Sequence, residues 1–309
     1  MNSKPIGLLV MHYGTPASME DVEAYYTHIR RGRPPEKEDL EDLISRYQAI
    51  GGPSPLTATS EQQAQLILEG LKKRGIDARL YIGAKHAPPF VGDAVRQMAA
   101  DGIDEAVGLV LAPQYSSFSI AAYRKAALAA VEESRPQMQI YFLERWGELP
   151  AYIEALAGHV KESVKDWNLD ETLVIFSAHS LPRRIMAEGD PYVKELMATS
   201  RLVADAAAVP NWRFAFQSAS KTGEPWLGPD ILDVIDEEKD KYKNVLACTV
   251  GFVSDHLEVL YDLGIETRDH CEQVGIKNYR RASTIGADPK VMDALAEQCM
   301  GLIKAPTSA

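Results

Sequence analysis

The feature that most restricts the fold is a recurrence of short runs that are apolar on successive residues. Leu173–Ser177 reads LVIFS, and Ile6–Met11, Ala106–Leu111 and Val245–Val250 have the same character. A strand covered on one face alternates apolar with polar. A strand covered on both faces does not alternate, and parallel strands between helices are of that kind. Arg79–Gly83, Ile140–Leu143 and Arg213–Phe216 complete a set of seven candidate strands. Helix-period stripes lie between them: Ala64, Ile67, Leu68 and Leu71, then Ile120, Tyr123, Ala127 and Val131. Ser60 followed by Gln63 reads as a capping box and Gly75 as a stop. Asp288-Pro289 opens a last helix through Met292, Leu295 and Cys299. This alternation predicts the α/β class with doubly wound parallel sheets. Seven strands are many for one small sheet, so two Rossmann-like lobes are expected. The border is placed at Ala112-Pro113, giving 1–112 and 113–286. The last residues, Ala305 to Ala309, read as frayed.

Composition removes several function classes. A net charge of -11 argues against non-specific nucleic-acid binding, which needs a basic stripe. No apolar run approaches the roughly 20 residues of a membrane span, and the start, MNSKPIGLLVMHYG, lacks a signal-peptide cleavage pattern. A soluble cytoplasmic protein is the expectation. Cys248, Cys271 and Cys299 form no CxxC pair, so zinc-ribbon and iron–sulfur spacings are absent. There is no GxGxxG, no GxxxxGK[ST] and no GxSxG, which argues against nicotinamide binding, a P-loop and a serine hydrolase.

Ligands of open α/β sheets bind beyond the carboxyl ends of the strands. The residues just after each strand therefore matter most. His12-Tyr13-Gly14 comes after the first, Lys85-His86 after the second and Pro113-Gln114-Tyr115-Ser116-Ser117 after the third. His179-Ser180 comes after LVIFSA, and Gly251-Phe252 then Ser254-Asp255-His256-Leu257-Glu258 after Val245–Val250. Taken singly, each has a plain structural reading. His179 could be a hydrogen-bonded strand-end residue. Asp255 and Glu258 could complement a helix dipole behind an N-cap at Ser254, with Asp255, Glu258 and Asp262 on one helix face. Arg30-Arg31-Gly32-Arg33 could be a solvated surface, and Tyr13 a core phenol.

Together the segments MHYGTP, YYTHIRRGRPP, RYQAIGGPSPL, GAKHAPPF, LAPQYSSFS, SAHSLP, PWLGPD and VGFVSDHLEVLYD closely resemble the ferrochelatase family, in order, from Gly7 to about Tyr279. They are most similar to its soluble bacterial branch, which inserts iron into coproporphyrin III. The resemblance implies two doubly wound lobes with a porphyrin cleft, and a last helix, 287–304, packed on the N-terminal lobe. It assigns His179 and Glu258 as the catalytic metal-site residues, with Tyr13 facing the metal from the other side of the ring and axial to the product iron. Arg30, Arg46, Tyr47, Ser54 and Tyr123 match porphyrin-lining positions. Lys85 and His86 match a pair near a secondary metal route, and Trp226 a wall aromatic. Two departures stand out: His12 replaces the family's usual alanine, and QSASKTGEPW departs from the usual QSEG.

The implied activity is a lyase reaction of haem biosynthesis that needs no cofactor, with Fe2+ as substrate. The implied partners are coproporphyrin III or protoporphyrin IX and hand-off enzymes of the pathway, around a monomer with no membrane span. A neutral imidazole can ligate Fe2+ or accept a proton near pH 7, and a carboxylate beside it can do the same. Arginine forks suit the four propionates of coproporphyrin III. The alternatives are a protoporphyrin IX ferrochelatase, a chelatase for another metal, and a haem carrier without catalysis.

Overall fold

The computed structural model describes residues 4–220 and 223–304. The expected fraying of Ala305–Ala309, and Lys221 and Thr222 within QSASKTGEPW, lie outside the described residues. Eight strands form two four-stranded sheets, every pairing parallel. The first contains β1 (Ile6–His12), β2 (Ala78–Ala84), β3 (Glu105–Val110) and β4 (Gln139–Leu143), in the order β2-β1-β3-β4. The second contains β5 (Thr172–His179), β6 (Trp212–Gln217), β7 (Asn244–Thr249) and β8 (Asn278–Arg281), in the order β6-β5-β7-β8. Each sheet therefore runs second, first, third, fourth. In both, the topological switch falls between the first and third strands, where a doubly wound sheet opens a crevice.

The helices are α1 (Val22–Ile29), α2 (Lys37–Ala49), α3 (Leu56–Lys73), α4 (Val91–Ala100), α5 (Ile120–Ser134), α6 (Pro150–Val164), α7 (Tyr192–Ala207), α8 (Ile231–Glu238), α9 (Thr267–Gln273) and α10 (Pro289–Lys304). The apolar runs are buried on both faces, as their sequence requires. Leu8, Leu9, Val10 and Met11 have no exposed surface, and Ile175, Phe176 and Ala178 likewise none. Burying such a side chain contributes roughly 1.5–3 kcal/mol, so these strands are firm platforms for whatever their ends carry.

Four expectations change. The chain separates into two compact units, but not at one border. The first takes the described residues of Met1–Ala112, Ser119–Trp146 and Gly286–Ala309, the second Pro113–Phe118 and Gly147–Ile285. Residues 119–146 join the first unit because β4 pairs with β3 there, and α5 leads into it. The helix carrying Ser60 starts four residues earlier, at Leu56, so the pair is no capping box. Ser60 and Gln63 are interior and fully buried, and Gln63 Nε2 instead donates to the Gly286 carbonyl at 2.8 Å. The strand β8, NYRR, has no apolar run. It pairs with β7, packs Tyr279 on the core, and sets Arg280 against Asp166 and Arg281 against Asp255.

The fourth change concerns SDHLEVLYD. The helical run begins at Leu257, three residues after Ser254. Val259–Glu266 is a π-helical turn, with Thr267 N–H bonded to the Asp262 carbonyl five residues back. Ordinary helical spacing therefore fails, and the three acids take three different partners. Asp255 meets Arg281 at 2.9 and 3.2 Å, Glu258 faces His179, and Asp262 accepts from the Ser218 hydroxyl.

Candidate active site

In the second unit, β5 ends on His179, and β7 leads through Gly251 to Glu258. A side chain at Gly251 would place its Cβ 2.7 Å from the Ala178 Cβ. Only glycine lets this connection lie against β5 beside the histidine. His179 Nε2 and Glu258 Oε1 are 3.4 Å apart, both side chains about one-quarter to one-third exposed (27% and 30%). The other ring nitrogen, Nδ1, donates to the Ser180 carbonyl. That contact fixes the tautomer and turns Nε2 toward the carboxylate, the usual way a backbone group orients a metal-binding histidine.

The surroundings hold both residues in place. The Tyr192 hydroxyl donates to the His179 carbonyl at 3.0 Å, and Asp190 accepts from Tyr192 N–H at 2.9 Å. Gln217 stands in register beside His179 on β6 and is 1% exposed. Its Oε1 accepts from the Ser177 hydroxyl at 2.8 Å. Trp226 and Phe252 flank the imidazole, with ring centroids at 6.2 and 6.3 Å. Trp226 is brought there by PWLGPD, which bridges to Pro182 and sends Leu227 N–H to the Leu181 carbonyl. Burial by itself depresses the His179 pKa, but the Glu258 charge and hydrogen bond, the Ser180 carbonyl and the Asp262 charge outweigh it, leaving the ring pushed up to about 9. Without metal, the site holds a proton between imidazole and carboxylate.

In the first unit, Tyr13 is 41% exposed at the end of β1. Its ring stands 4.7 Å from that of His86, and Lys85 Nζ lies 6.0 Å from Tyr13 and 5.5 Å from Tyr123. Four expected site residues are thus gathered here. Burial first, then the Lys85 and His28 charges, lower the His86 pKa to about 3. Arg30 pairs with Asp39 at 3.2 Å, and Arg46 with Asp42 at 2.9 Å. The Ser54 hydroxyl donates to Thr15 Oγ1 at 3.0 Å. Tyr47 is 2% exposed, so it offers a ligand almost no surface. His12 is buried, its Nδ1 has no hydrogen-bond partner, and burial lowers its pKa to about 4.

Sequence reasoning misses Gln217, Tyr192 and His28. Gln217 is within its reach: a strand read to end at Phe216 stops one residue short of its polar end. Tyr192 and His28 sit on helices and carry no strand-end signal. Among the described residues, no three or more His, Cys, Asp and Glu side chains are grouped to hold a metal, and no helix is long and apolar enough to cross a membrane.

Comparison with known proteins gives the family. The ferrochelatase family model matches residues 5–301. The chain is 46% identical over 312 residues to a coproporphyrin III ferrochelatase of Geobacillus sp. (strain WCH70), covering 98% of this chain and 100% of that one. It is 44% identical over 301 residues to a coproporphyrin III ferrochelatase 2 of Bacillus cereus, covering 96% and 94%. Among solved structures it resembles SirB from Bacillus subtilis with Fe3+, at a TM-score of 0.61 and 14% identity, covering 97% and 96%. That last likeness bears on fold alone. With a family match across nearly its whole length and relatives this similar, the chain belongs to the ferrochelatase family.

Proposed function

We propose that this protein is a ferrochelatase that inserts Fe2+ into coproporphyrin III, giving Fe-coproporphyrin III in haem biosynthesis. The observation that carries the reading is the His179 Nε2–Glu258 Oε1 approach of 3.4 Å at the switch point of the second sheet. Insertion is a balanced exchange: Fe2+ enters, two pyrrole N–H protons leave, and no electron moves. The protein must present a weakly held ion to one face of the ring and take up protons there. An imidazole nitrogen and a carboxylate oxygen provide two ligands and leave the ion's other positions to water and then to pyrrole nitrogens. The proton of the metal-free pair leaves when the ion binds, and once the ion has passed to the ring the two vacated groups can accept the released pyrrole protons. In this reading Tyr13 would ligate the product iron, and Lys85 and His86 would belong to a secondary metal route.

The substrate's four propionates need cations on an acidic protein. Arg30 and Arg46 are held by partly exposed Asp39 and Asp42. Exposed pairs of this kind are worth only about 0–1 kcal/mol, so exchanging them for propionate forks costs little. Ser54 and Tyr123 belong to the same wall in this reading. The reaction requires no organic cofactor, and the chain acts as a cytoplasmic monomer that passes its product to another haem-pathway enzyme. The test is anaerobic turnover of Fe2+ with coproporphyrin III and protoporphyrin IX in competition. A higher kcat/KM for coproporphyrin III is expected. Preference for protoporphyrin IX would move the substrate assignment, and tight haem binding without metallation would make the chain a carrier.

A further inference from the structure

His28 has no role in the reaction described above, yet it is held with care. It lies near the end of α1, and His86 comes shortly after β2. Their Nδ1 atoms approach to 3.1 Å, with the rings nearly perpendicular at 75°. Each ring is braced from behind. The Phe90 ring stacks on His28 at 4.8 Å and 18°, and the Tyr13 ring packs against His86 at 4.7 Å. The backbone is fixed as well, since His86 N–H donates to the Tyr13 carbonyl at 3.0 Å.

We propose that His28 and His86 form a two-histidine site for a divalent first-row transition cation in the first unit. First-row ions bind imidazole nitrogen at about 2.0–2.1 Å. Two such bonds at tetrahedral or square angles put the nitrogens roughly 3 Å apart, which is the separation found. The two Nδ1 atoms share a hydrogen bond, so its one proton must leave to solvent or to the ring's other nitrogen when an ion takes its place; His28 is exposed, so hydrated metal can reach it. Two ligands beside the Lys85 cation give a weak site. Weak binding suits brief residence better than storage, and water fills the remaining positions. The site rests on the reading that puts His86 on a secondary metal route, but not on porphyrin metallation itself.

Zinc binding tests it without porphyrin. In full-length protein carrying His179→Ala and Glu258→Gln, calorimetric titration with Zn2+ should show a site that either His28→Gln or His86→Gln weakens at least about tenfold. Combining those two changes should do no more than one alone. Absence of zinc binding in the parent, binding unchanged in both variants, or loss with His86→Gln alone would overturn the proposal. If the parent variant does not fold, anomalous diffraction from zinc-soaked wild-type crystals decides. Density bonded to both Nδ1 atoms supports the site, and density on one ring or neither refutes it. Since no porphyrin is present, failure here leaves the insertion reading intact.

Discussion

The first strand of each sheet ends on a histidine, and the two imidazoles are driven in opposite directions. His12 closes β1 and His179 closes β5, at the same place in the same strand order. Both are pushed down by burial. His12 has no compensating partner and falls to about 4, so it is a neutral core ring. His179 has Glu258, the Ser180 carbonyl and Asp262, and rises to about 9. One topology thus yields two kinds of strand end. What separates them is the connection after the third strand: in the second sheet it passes Gly251 and returns Glu258 to the crevice, while in the first it leads to α5 and brings the phenol of Tyr123 near Lys85. The fold provides the crevice, and the residue returned from the third strand decides whether the strand-end imidazole has a carboxylate beside it.

The comparison predicts unequal consequences. Removing the imidazole in the second unit should be severe: His179→Ala should slow iron insertion by about 10²–10⁴-fold, with an unchanged circular dichroism spectrum. Near-normal turnover would break the comparison. The matching change in the first unit should be milder. Tyr13→Phe keeps the ring against His86 and Lys85 and should alter the absorption spectrum of bound product iron more than the turnover number. A loss as deep as that of His179→Ala would mean that the first unit shares the chemistry equally.

The smallest effect concerns His12 and is read in stability. Its folded pKa of about 4 lies below the ordinary 6.5, so the unfolded chain takes up the proton first as acid is added. The contribution is whole above about pH 6.5 and drains away as the pH falls to about 4, by up to about 3 kcal/mol. His179 has the opposite sign: its stabilising share is present below about pH 6.5 and is lost as the pH rises through about 9. In urea unfolding of the metal-free protein, His12→Ala should flatten the loss of stability between pH 7 and pH 4.5. An unchanged slope would show that the ring is not a buried neutral group.

The sequence discloses the strands that are covered on both faces, because burial there leaves a continuous apolar run. It conceals β8, which pairs with β7 and packs only one ring, Tyr279, on the core while its arginines contact Asp166 and Asp255. Strand-end bookkeeping finds His179 and Tyr13, since polarity at the end of a core strand is visible in one dimension. Glu258 is visible as a residue but not as geometry, because the π-helical turn after it breaks the spacing from which a helix face is read. The pairing of Ser60 with Gln63 misleads because a helix starting behind Pro55 has already enclosed both. The return of α5 and β4 to the first unit is hidden for a related reason: strand pairing, not the proline loop, decides which unit a segment joins.

The most direct test is a double-variant cycle on insertion rate, with wild type, His179→Ala, Glu258→Gln and the combined variant assayed anaerobically under saturating Fe2+ and porphyrin. If the imidazole and carboxylate work on one ion as a unit, the combined variant should be about as slow as the slower single one, and Glu258→Gln should leave porphyrin affinity nearly unchanged. Losses that multiply as though the two residues acted apart would contradict the account.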